Sequence, residues 1–199
     1  MSHEVSSREV LAEATGTLVD YLEFTYKSWD GVKQFRGSAN RLVRMYEDYC
    51  WSQDKIESEL QKQFKVFPNK YSEMLVVGPI VVWTLCPHHL LPVKLNVTIG
   101  YIPNGGVLGL SKFARIADIM ARRPVMQEQY SVELADVLVD KLNPRGVGVS
   151  IYGSHGCMTS RGVKQHAEVA TSVLKGDFLK EGPTRQEFYS IVDRLKVGS

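Results

Sequence analysis

Cys86-Pro87-His88-His89 places a thiol and an imidazole three residues apart in a tight connection ending at Pro92. Zn²⁺ accepts both ligand types, and so short a spacing lets one loop supply two corners of a tetrahedron. On its own a Cys-x-x-His reads more simply as a buried cysteine beside unrelated histidines. A second cluster changes that reading, because His155-Gly156-Cys157 sets His and Cys two apart, on one side of an extended segment. Three ligands from two loops with one open position is the arrangement of a catalytic zinc, whereas a structural zinc closes its shell with four. The trio consists of Cys86, Cys157 and one of the histidines. His88 and His89 are adjacent and point opposite ways in an extended segment, so one is a ligand. The other, with His155, is left for proton transfer near neutral pH.

Basic residues recur around a second position. Ser111, Lys112 and Arg115 open a predicted helix after Gly109. Backbone donors and the positive end of the helix dipole favour phosphate there. Arg161, four residues after Cys157, adds positive charge beside the metal loop. Arg122 and Arg123 read as surface charge at a helix end. Glu128, beside Gln127, offers two acceptors to the ring N–H and exocyclic amine of a purine, although alone it reads as a surface residue.

The elements that must position these groups follow from periodicity. Val10, Leu11, Ala14, Leu18, Val19 and Leu22 recur at helical spacing from Ser6 to Lys27. Trp29-Asp30-Gly31 breaks the pattern. Ser38 and Ser52 are candidate caps of two further helices. Met74–Cys86 and Val93–Ile102 read as strands, Ser111 onward and Val132–Leu142 as helices, Val147–Tyr152 and Val163–Leu174 as strands, and Thr184–Leu195 as a final helix. Blocks of this order favour α+β with an antiparallel sheet. The tryptophans are assigned to the core, His166 to a structural strand position, and Cys50 to a buried apolar site.

Bulk composition adds exclusions. The chain has 199 residues, with 24 Lys plus Arg against 22 Asp plus Glu, a net charge of +2. No basic stripe with interleaved aromatics appears, so no nucleic-acid partner is expected. Three cysteines are too few for a disulfide framework. The longest apolar run, about 13 residues with Pro79 inside it, falls short of the ~18–20 that span a bilayer. A soluble, cytoplasmic protein is expected, with no membrane partner. The histidines are His3, His88, His89, His155 and His166.

Taken together, these motifs resemble GTP cyclohydrolase I. The resemblance runs from about Ser38 to Val192. It is carried by Cys86-Pro87-His88-His89-Leu90-Leu91-Pro92, Gly100-Tyr101-Ile102-Pro103, Gly109-Leu110-Ser111-Lys112 with Arg115, Arg123-Pro124 with Gln127-Glu128, His155-x-Cys157-Met158 with Arg161-Gly162, Thr171-Ser172 and Gly176-x-Phe178. It implies a tunnelling fold, a four-stranded antiparallel sheet backed by helices, with an N-terminal helical region at 1–67 and the catalytic domain at 68–199. It further implies Zn²⁺ held by Cys86, His89 and Cys157, and His88 with His155 as the proton-transfer pair. Glu128 would read guanine with Gln127 as its neighbour, and Ser111, Lys112, Arg115 and Arg161 would hold the triphosphate. Arg41 adds a weaker phosphate contact from a neighbouring subunit, since Ser38-Ala39-Asn40-Arg41 departs from the family's Thr-Pro-x-Arg at two places. The implied activity converts GTP to 7,8-dihydroneopterin triphosphate with release of formate, for pterin, folate or 7-deazaguanine synthesis. The implied assembly is a homodecamer with sites between subunits.

One departure bears on the chemistry. The family's usual Cys-Glu-His-His is Cys-Pro-His-His here, which removes a carboxylate and a backbone N–H beside the metal. The alternatives are a catalytically silent zinc- and nucleotide-binding ring, or another purine or pterin enzyme of the same fold.

Overall fold

The structure, a computed structural model, describes residues 6–197, the side chain of Val197 excepted; His3 lies outside them. The chain divides into two compact units, one ending at Cys50 and one beginning at Trp51.

In the first unit α1 (Ser7–Thr25) starts from a capping box between Ser6 and Glu9, which satisfies amides the helix cannot pair itself. The break at Trp29 opens a 3₁₀ turn, Asp30–Phe35. Helix α2 (Ser38–Tyr49) is entered through Gly37 at φ +73°, so Ser38 is the first helical residue and not the expected cap. Arg8 and Glu47 join α1 to α2 at 2.6 Å. Cys50 ends this unit exposed, not buried as the sequence suggests.

The second unit begins with α3 (Gln53–Gln61), which Ser52 caps as expected by accepting from the Lys55 amide. Then follow β1 (Val66–Pro68), β2 (Leu75–Leu85), β3 (Pro92–Ile102), β4 (Gly106–Leu108), α4 (Leu110–Ala121), α5 (Gln127–Leu142), β5 (Gly146–His155), the single turn α6 (Gly156–Thr159), β6 (Glu168–Gly176) and α7 (Pro183–Val197). Four strands form one antiparallel sheet in the order β2-β3-β5-β6, and β1 pairs with β4. The α+β class with a four-stranded antiparallel sheet is as expected.

Alternation in β3 turns Val93, Leu95, Val97, Ile99 and Tyr101 to one face, where they pack with residues of β5, α4 and α5. The buried Tyr130 hydroxyl donates to Ala117 O at 2.8 Å and ties α5 to α4. On the other face Phe178 and Phe188 pack edge to face, with ring centroids 5.3 Å apart. Gly100 and Gly148 make room for them, since a Cβ at either would lie 2.8 Å or 3.0 Å from the Phe188 ring. Phe188→Ala is expected to cost about 3–5 kcal/mol and lower Tm by roughly 6–20 °C. Thermal unfolding at fixed metal checks this, and a loss under about 1 kcal/mol would mean that α7 is held by other contacts.

Five further readings are corrected. Trp83 is 47% exposed and Trp29 51%, so neither is core; in β2 it is Val82 and Thr84 that turn inward. Helix α5 starts at Gln127, not Val132, which puts Gln127 and Glu128 in its first turn. Strand β5 continues past Tyr152 to His155. Strand β6 starts at Glu168, not Val163, because positive φ at Gly162 (+59°) and Lys164 (+49°) folds the preceding segment into a turn. His166 therefore lies in an exposed loop. Among the described residues no helix is long and apolar enough to cross a membrane.

Candidate metal centre

The β2–β3 connection is closed by its own backbone. The Cys86 amide donates to Leu91 O at 2.9 Å, and the Leu90 amide donates to Cys86 O at 2.8 Å. Leu90 takes φ +51° to make this turn. Neither bond uses an amide at position 87, so proline there leaves both hydrogen bonds of the loop intact. The turn holds Cys86 Sγ 3.8 Å from His88 Nδ1 and 3.9 Å from His89 Nδ1.

The second cluster arrives by strand pairing. In the β3–β5 ladder Val93 faces His155, which carries Gly156 and Cys157 to the mouth of the loop. A Cβ on Gly156 would sit 2.7 Å from Pro92 O, so this close approach requires glycine. As a result one ligand atom each from Cys86, His89 and Cys157 lie within 4.8 Å of one another. Of the two adjacent histidines, His89 is the one in this group.

The donor set fits a divalent, sulfur-tolerant cation. Burial raises the Cys157 thiol above its ordinary pKa, the adjacent Cys86 raises it further, and Arg161 acts weakly the other way. Two thiolates this close repel, and a divalent cation between them relieves that repulsion. Arg161 Nη1 also donates to His89 Nε2 at 2.7 Å. A neutral imidazole has one lone pair, so His89 cannot serve both this guanidinium and a metal.

Beside the donor group is a recess of about 230 Å³, lined in part by Cys86, His88, Gln127, Glu128, His155 and Cys157. His155 Nε2 lies 2.9 Å from Gln127 Oε1. Burial holds the His155 pKa below its ordinary value, with the Glu128 charge opposing. Ser131 and Thr171 back Gln127; no sequence pattern marks Ser131, and Thr171 enters only through the Thr171-Ser172 motif, with no role attached.

Other predicted residues are placed elsewhere. Ser111, Lys112 and Arg115 stand at the start of α4, outside the lining of this recess. The Lys112 ammonium donates to Gln63 Oε1 at 3.0 Å. Arg41 is exposed on α2, in the first compact unit.

Comparison with known proteins gives a consistent result. The family model described as GTP cyclohydrolase I matches residues 28–193. GTP cyclohydrolase 1 of Pelotomaculum thermopropionicum is 40% identical over 160 residues, covering 79% of this chain and 84% of that protein. The protein of the same name from Hydrogenobaculum sp. is 38% identical over 167 residues, covering 82% and 86%. Among solved structures, apo archaeosine synthase QueF-Like is similar at TM-score 0.43 and 21% identity, over 54% of this chain and 96% of that one. By the span of the family match and the identity to full-length relatives, the chain belongs to the GTP cyclohydrolase I family.

Proposed function

We propose that this chain hydrolyses GTP with release of formate and closes the product to 7,8-dihydroneopterin triphosphate. The observation that carries this reading is the Cys86, His89 and Cys157 donor group beside a recess holding His155 and Glu128. Those three residues would hold the metal, read as zinc from the thiolate–imidazole set. Zinc bound there supplies a Lewis acid that makes water reactive at neutral pH. Glu128 accepts from the ring N–H and exocyclic amine of guanine and so orients the base. His155 and His88 move protons to and from the ring nitrogens and the leaving formate.

Arg161, released from His89 when that imidazole takes a metal, holds the triphosphate together with Ser111, Lys112, Arg115 and Arg41. At about 230 Å³ the recess is smaller than the ~300–1,000 Å³ typical of ligand sites, and none of these five phosphate residues lines it. Both facts support a site completed by a second copy, in a homo-oligomer read as a decamer. Residues 68–199 form the catalytic domain and 1–67 a helical region, in a cytoplasmic enzyme.

Incubating the full chain with zinc and GTP, while following formate and pterin fluorescence separately, tests the reading. Both products are expected. Formate without pterin would confine activity to the hydrolytic steps and make Pro87 the point of failure. Bound zinc with no formate would identify a silent ring and overturn the proposal.

A further inference from the structure

Gln127 is 2% exposed at the first position of α5, and every polar atom of its side chain is engaged. Its Nε2 donates to Val169 O at 3.0 Å, Thr171 Oγ1 at 3.1 Å and Ile151 O at 3.3 Å. Two of these partners are backbone carbonyls, which only accept, so the NH₂ end must face them. The amide therefore has a single orientation, which turns Oε1 toward His155 Nε2.

The hydroxyls behind it extend the same direction of donation. Ser131 Oγ donates to Gln127 O at 2.7 Å, which uses its only proton. In the 2.8 Å Ser131–Thr171 contact the threonine is then the donor, and its oxygen accepts from Gln127. From the sheet side, Gly153 leaves space for the contact, since a Cβ there would overlap Gln127 Oε1 and lie 3.0 Å from His155 Nε2.

We propose that Gln127 is a positioning residue that fixes the tautomer of His155, with the proton on Nε2 and the lone pair on Nδ1. An amide oxygen cannot donate, so the imidazole nitrogen facing it must carry the hydrogen. Nδ1 is then the nitrogen able to take a proton in the recess. The proposal builds on the proton-transfer role given to His155 above and assigns Gln127 to His155 in place of guanine.

The test uses the full chain labelled with ¹⁵N-histidine, read by solid-state NMR, with His155 assigned by difference from His155→Asn. This readout does not depend on GTP turnover. The proton is expected on Nε2 in the native protein. Gln127→Leu should shift it to Nδ1 or split it between the nitrogens, while zinc content stays unchanged. Thr171→Val should keep the native tautomer, because the two carbonyls still hold the amide. In turnover, Gln127→Leu should lower kcat by about 10–100-fold and leave KM within about twofold. If Gln127→Leu does not fold, Gly153→Ala should give the same tautomer shift by displacing Oε1. A native proton on Nδ1, a foldable Gln127→Leu that retains the native tautomer, or a raised KM at unchanged kcat would each overturn the proposal.

Discussion

Cys86→Ala is expected to empty the metal site, with bound zinc falling below about a tenth of the wild-type content and formate release dropping by at least ~10³-fold. The size follows from the geometry. Three donor atoms within 4.8 Å of one another leave two after the change, one of them on the exposed His89. The departing ligand is also the buried one, held in place by the closed β2–β3 turn. Cys50 gives the control, since it is exposed at the end of the other compact unit; Cys50→Ala should leave metal and rate as they were. Metal analysis after dialysis, run beside a formate assay, reads both effects. Full zinc retention by the Cys86 variant would remove that thiol from the centre.

The second large effect is expected at Glu128. One carboxylate accepting from two guanine donors makes two charge-assisted hydrogen bonds, each worth about 1.5–3 kcal/mol. Their loss in Glu128→Ala should lower kcat/KM for GTP by roughly 10²–10⁴-fold, mostly through KM. The discriminating measurement compares GTP with ITP, whose base lacks the exocyclic amine. Wild type should prefer GTP strongly, and Glu128→Ala should narrow that gap to within about tenfold. An unchanged preference would place guanine recognition on another group. The variant also removes the charge that opposes burial at His155, so the His155 pKa should move further down.

How far the sequence could be read depended on the range of the interactions involved. The two halves of the metal centre were visible because each is a short-range pattern, Cys-x-x-His in one turn and His-x-Cys at one strand end. Spacing alone could not choose between His88 and His89, which only the family resemblance separated, because alternation holds in extended chain and this segment is a turn with Leu90 at positive φ. The sheet was legible from the alternation in β3. Trp83 was misplaced because aromatic content alone does not say which face of β2 a residue takes. The start of α5 was missed because Met126 precedes it with no side-chain cap to mark the boundary. The role of Gln127 depends on carbonyls of β5 and β6, more than 20 positions away along the chain, and no local spacing encodes that.

The pairing of Val93 with His155 also gives the centre a mechanical sense. Cys86 and His89 precede β3, while Cys157 follows β5, so an ion held by all three is a latch across the sheet's central ladder. It cannot close before those strands have met, and they cannot part while it is shut. Free metal at about a hundred times its Kd should therefore add about 2.7 kcal/mol to the folded state. Chelation should loosen this ladder before it affects the aromatic cluster of Phe178 and Phe188 on the opposite face. The metal centre would thus report whether the two central strands beneath it have been assembled.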